Sequence, residues 1–139
     1  MLYHARPGAS DSTMFVRFKV GPKALLARPD GSPVAFGDSV LITLRLVDPE
    51  ALIVDFQPSG LRFDPRDPAE LRMSFAETDP DVNGDGTVDR ADTRLTQRFK
   101  IWRQERNVDP WVSQPSDVLL GLHEVETEVD GFTRYAIAY

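Results

Sequence analysis

Residues 81–92 read Asp81-Val82-Asn83-Gly84-Asp85-Gly86-Thr87-Val88-Asp89-Arg90-Ala91-Asp92, with side-chain oxygens recurring at alternate positions. This is the spacing of a twelve-residue calcium loop. Oxygen donors fall at loop positions 1 (Asp81), 3 (Asn83), 5 (Asp85), 7 (the backbone carbonyl of Thr87), 9 (Asp89, through water) and 12 (Asp92). Calcium is a hard cation that takes 6–8 oxygens, and this spacing wraps them about one point. Gly86 holds position 6, where the chain turns sharply through a conformation that glycine adopts cheaply. Val88, at position 8, is the apolar residue expected to anchor the loop to the core. At position 12 an Asp stands where a bidentate Glu is usual. It is one methylene shorter, so the exiting backbone must move inward, and magnesium becomes a competitor for the site.

Charge points to the same segment. The chain of 139 residues carries 16 basic and 22 acidic side chains, a net charge of −6. Residues 79–92 hold five Asp and one Arg, or −4 of that −6, in a tenth of the length. An acidic chain of this kind does not suit a general nucleic-acid binder, which needs a basic surface for phosphates. Cysteine is absent, which removes disulfides, thiolate zinc sites and cysteine nucleophiles together. No apolar run approaches the roughly 20 residues of a spanning helix, so membrane insertion is not expected. Met1–Ser10 lacks the apolar core of a signal peptide, and any export signal is expected outside this chain.

The elements that must position the loop read as short strands. Apolar residues alternate with a period of two over Met14–Val20, Val40–Val47, Leu52–Phe56, Leu71–Phe75 and Thr133–Tyr139. Turn signals such as Arg28-Pro29-Asp30-Gly31 and Val129-Asp130-Gly131 separate them. Five prolines (49, 65, 68, 80 and 110) follow an Asp, and the residue before proline is pushed out of helix. Leu95, Phe99 and Trp102 also fit a helical stripe, so residues 90–95 are expected as a helical turn and 97–104 as a strand. The fold class expected is all-β, an antiparallel β-sandwich with an inserted EF-hand-like calcium loop. Residues 1–13 are expected as a flexible N-terminal segment and 14–139 as a single domain, with 79–93 the insertion.

Two resemblances attach to these residues. The string from Asp81 to Asp92 looks like the calcium-binding half-repeat of bacterial dockerin modules, of which this chain carries one copy. It implies calcium and a bacterial extracellular or cell-surface setting. Over nearly the whole chain, Phe56-Gln57-Pro58-Ser59-Gly60-Leu61-Arg62-Phe63 with Pro68-Ala69-Glu70-Leu71, then Trp102, Pro110-Trp111-Val112 and Phe132-Thr133-Arg134-Tyr135-Ala136, resembles ZU-five-like domains. That family is named for zonula occludens proteins and netrin receptors, and the resemblance implies an antiparallel sandwich. Some members cut themselves at His-Phe-Ser. Here the residues are Gly131-Phe132-Thr133, and no base stands beside the weak hydroxyl nucleophile.

Other residues offer less. His4 and His123 have no second histidine nearby, and neither suits a zinc site. Glu124, Glu126 and Glu128 read as a solvated strand face, not a catalytic carboxylate pair. Trp102, Trp111 and Tyr135 could line a sugar platform. The function these readings favour is a non-catalytic, calcium-binding module with a structural or protein-interaction role in a larger bacterial extracellular protein. The alternative is a carbohydrate-binding accessory module of a secreted glycan-processing system. The purified chain is expected to keep its intact mass over days of incubation, and two fragments joining at Phe132-Thr133 in the mass spectrum would contradict this.

Overall fold

The computed structural model describes residues 2–4, 13–48 and 51–139. The strands are β1 (Leu2–His4), β2 (Thr13–Lys19), β3 (Leu25–Ala27), β4 (Thr43–Asp48), β5 (Ile53–Gln57), β6 (Arg62–Phe63) and β7 (Ala69–Ser74). After the helix α1 (Arg90–Thr96) come β8 (Lys100–Gln104), β9 (Val112–Ser113), β10 (Asp117–Leu119), a 3-10 turn (Leu120–Leu122), β11 (Glu124–Val129) and β12 (Arg134–Ala138). One sheet has the order β1-β2-β7-β11-β10, the second β4-β5-β12-β8-β9, and β3 pairs with β6 alone. The strand pairs are antiparallel. The fold is all-β and sandwich-like, as the periodicity predicts.

Alternation explains which face each sheet buries. In β7 and β11, Val125 faces Met73, Thr127 faces Leu71 and Val129 faces Ala69, all buried. The residues between them point outward, where Arg72 lies opposite Glu126. Arg72 also reaches Glu70 at 3.2 Å and Glu124 at 3.7 Å, and Arg17 approaches Glu70 at 3.6 Å. The glutamate face expected to be solvated is therefore an ion-pair ladder, with Glu128 its exposed end. The second sheet contributes Val54, Phe56, Ile101, Tyr135 and Ile137 to the same core.

Aromatic rings join the layers. Phe18 of β2, Phe56 of β5 and Phe63 of β6 surround Phe132, with ring centroids 5.2, 5.2 and 5.1 Å from it. Tyr135 packs edge-on against Phe56, and its hydroxyl donates to the Gly131 carbonyl at 2.6 Å. Burial holds that phenol protonated well above its usual range. Gly131 sits close to the neighbouring backbone: a Cβ there would stand 3.1 Å from the Leu61 carbonyl oxygen, which accepts the Phe132 N–H at 2.8 Å.

The strands fall where alternation places them, with two differences. Leu2–His4, expected within a flexible segment, pairs with β2, while residues 1 and 5–12 of that segment lie outside the described residues. The long run from Val40 is hydrogen-bonded to β5 only from Thr43. The stretch after residue 90 divides as expected, into a helix ending at Thr96 and a strand, which starts at Lys100. Phe132→Ala is expected to destabilise the fold by about 3–5 kcal/mol, the range for emptying a buried phenylalanine site. Urea unfolding would show this as a lower midpoint with little change in slope.

Candidate metal loop

The acidic loop lies in a crossing from the end of β7 in one sheet to the start of β8 in the other. Phe75 and Phe99, at the two ends of this crossing, meet edge to face with centroids 5.1 Å apart, and both are buried. Long connections carry a closure entropy that grows slowly with length, and a fixed contact between the ends meets that cost outside the loop itself.

Inside the loop the carboxylates organise the backbone. Asp81 accepts three amides: Gly84 N–H at 2.9 Å and Asp85 N–H at 3.1 Å on Oδ1, and Gly86 N–H at 2.7 Å on Oδ2. Asn83 Oδ1 accepts the Asp85 N–H at 2.8 Å, while its Nδ2 donates to Asp85 Oδ2 at 2.9 Å. Asp85 Oδ1 takes the Thr87 N–H at 2.9 Å. Gly86 has φ +85° with open space about its Cα, so the position demands glycine for its backbone angle and not for room.

Asp89 and Asp92 close the far side. Asp89 is the N-cap of α1, accepting the Ala91 N–H at 2.6 Å. Asp92 is 3% exposed, and its two oxygens span the loop, taking the Asn83 N–H at 3.1 Å and the Asp89 N–H at 2.8 Å. The bond from Asp89 is the main cause that lowers the Asp92 carboxyl below its ordinary 3.8, and the Asn83 amide adds to it.

Asp81, Asn83 and Asp85 are thus brought into one hydrogen-bonded string, and Asp92 ties its start to its end. Thr87 joins through its N–H, and Asp89 is turned toward the helix. Among the described residues, no three His, Asp or Glu side chains are gathered closely enough to hold an ion. The donor chemistry nonetheless fits a hard cation. An ionised carboxylate offers roughly four lone-pair positions, and the amides occupy three on Asp81 and two on Asp85.

Val88 does not anchor the loop: it is 63% exposed. Val82 packs against the core in its place. Val88 follows the two positive-φ turns at Gly84 and Gly86, whereas Val82 precedes both. Val88 instead borders an open groove of about 370 Å³ shared with Phe75, Val82, Thr93, Leu120 and His123. The His123 ring is exposed and lies edge-on to Phe75.

The remaining candidates are placed as follows. Tyr135 is fully buried, so the three-ring sugar platform does not form; core packing took the ring that alternation left open. Trp102 and Trp111 are half-buried, with Trp102 Nε1 donating to the Ala138 carbonyl at 3.2 Å. Thr133 is buried, and its hydroxyl donates to the backbone carbonyls of Gln104 and of Glu105, the latter at 2.9 Å.

No family model, curated protein or solved structure matches this chain.

The tie made by Asp92 sets a pH dependence. A carboxyl whose folded pKa is depressed stabilises fully above its unfolded value and loses that stabilisation as pH falls through the folded one. Asp92→Asn turns one oxygen into a donor facing an N–H, and it should melt below the parent chain at neutral pH. The gap should close as pH drops below 3.8 through the lowered folded value, as followed by thermal melts across the acid range.

Proposed function

We propose that this chain is a non-catalytic β-sandwich module whose loop 81–92 binds one calcium ion, with a structural or protein-binding role in a larger bacterial extracellular protein. The observation that carries this reading is the string Asp81–Asn83–Asp85, three oxygen-bearing side chains nested on one another's backbone at alternate positions. Those are loop positions 1, 3 and 5 of the calcium spacing. Calcium would draw on Asp81, Asn83, Asp85, the Thr87 carbonyl, Asp89 through water, and Asp92. It would supply charge neutralisation for a segment of net −4, and no step of a reaction.

The non-catalytic part of the proposal is supported by the commitments of the reactive groups. The Thr133 hydroxyl is given to two backbone carbonyls, and the Tyr135 hydroxyl to a third. Gly131 places no base beside Thr133. The resemblance to ZU-five-like domains fits a module that acts through its surface and its place in a longer chain. The dockerin-like loop is the support for an extracellular setting.

Calorimetric titration of metal-stripped protein tests the site. One exothermic or endothermic single-site isotherm with calcium is expected, abolished by Asp81→Ala or Asp85→Ala and weakened less by Asp89→Ala. A ligand held only by the folded state stabilises by about 2.7 kcal/mol at a hundredfold excess over its Kd, so the melting temperature should rise with calcium. Chelation should lower it and leave a folded domain. The absence of both heat and a melting shift at millimolar calcium would refute the proposal.

A further inference from the structure

Both tryptophans of the chain stand outside its core. An indole is the largest apolar group a core can bury, yet Trp102 and Trp111 stay half-buried and apart from the buried cluster. The register shows where Trp102 points. Directly opposite residues of paired strands share a face, and Ile101, Ile137, Tyr135 and Val54 take the inner one. Trp102 therefore stands on the outer face of the second sheet, with Ala136 and Ser113 opposite it on the two neighbouring strands. Both are small, so neither covers the indole. Its Nε1 donates to the Ala138 carbonyl at 3.2 Å, which holds one edge of the ring on the sheet.

A polar row adjoins the ring. Arg45, Asp55, Arg134 and Gln104 lie opposite one another on the same outer face. Arg134 is the diagonal neighbour of Trp102, two residues before Ala136. Asp55, Gln57, Asn107 and Arg134 line a hollow of about 190 Å³, with Glu105 and Arg106 also at its wall. Its groups are held in place. Asp55 accepts the Gln57 side-chain amide at 2.8 Å, Gln57 accepts the Ser59 N–H at 3.1 Å, and Arg134 Nε approaches Asp55 at 3.8 Å.

We propose that this face binds a neutral glycan of the β-linked glucose type, one sugar ring on Trp102 and another in the hollow. The equatorial substituents of such sugars leave flat C–H faces that stack on an indole. Their hydroxyls pair with carboxylate, amide and guanidinium groups. Charge selects a neutral ligand, because within the hollow Asp55 and Glu105 balance Arg106 and Arg134. An anionic chain would meet the two carboxylates, and a cationic one the two guanidinium groups. A protein partner is disfavoured: protein interfaces have an apolar core of several anchors, and across the strands from Trp102 stand only alanine and serine. The diagonal from Trp102 to Arg134 is about 7–8 Å, and the bond of the indole to Ala138 leans it further from Arg134. A chain of sugars bridges that span, and a monosaccharide does not.

Calorimetry on the whole chain with cellohexaose, glucose and hexagalacturonate tests this, with and without chelator so that the outcome is separate from calcium binding. Saturable binding of cellohexaose is expected in both conditions, with none of glucose or hexagalacturonate over the same range. Trp102→Ala should abolish it. Arg134→Ala, which leaves the indole in place, should weaken it about tenfold, the cost of one charge-assisted hydrogen bond. Both side chains lie on the outer face, and thermal melts should show the variants folded. In Trp111→Phe the sole indole is Trp102, and its emission should shift as cellohexaose is added. No binding of cellohexaose at millimolar concentration would overturn the proposal. So would glucose bound as tightly as the hexaose, a preference for hexagalacturonate, binding that survives Trp102→Ala or is indifferent to Arg134→Ala, or an indole emission that does not move.

Discussion

The contact on which the structure depends is the packing of Phe132 among Phe18, Phe56 and Phe63. Each ring comes from a different part of the chain, and together they join both large sheets to the small β3–β6 pair. Among the described residues no strand exceeds seven residues, so a sheet alone buries little, and two-stranded pieces are marginal in water. Interlocked rings in tilted and edge-on contact gather that small area into one core. Gly131 and the Tyr135 hydroxyl set the backbone that delivers Phe132 to this place. Residues 131–135 work here as the clasp of the sandwich.

Polar groups are disposed around this core in two ways. On the outer face of the first sheet, Arg72 is ringed by Glu70, Glu124 and Glu126, so that acidic strand residues neighbour one another without net repulsion. The acidic loop holds its charge differently. The backbone itself supplies the positive ends of dipoles, with successive N–H groups turned toward Asp81, Asp85 and Asp92. Turns of this kind hold negative charge through amide dipoles alone.

Period-two alternation made the strands legible because each has one face on a shared core: Leu71 and Met73, or Val125 and Val129, could be read directly. It was less informative at β4, where the cleanest alternation in the chain belongs to an edge with half-covered residues. Alternation reports two unlike faces and is silent on how much protein lies against either. The short β9 and β10 have too few residues to show a period, and Tyr135 looked available because a ring's depth depends on neighbours far away in sequence. In the loop, residue types and the turn at Gly86 were readable from spacing. The exchange of roles between Val82 and Val88 was not, since each is a lone apolar residue between polar neighbours. The capping role of Asp89 and the cross-loop bonds of Asp92 also required three-dimensional proximity.

That pair of rings has a consequence for how the chain can change. Phe75 and Phe99 bring the two ends of a long crossing to neighbouring points, and of the residues between them Val82 packs against the core. The crossing has the geometry of a cassette: its contents can lengthen, shorten or be exchanged while the socket stays the same. An ion-coordinating segment grafted at such a socket would arrive without a new domain, and its loss would leave a sandwich already complete.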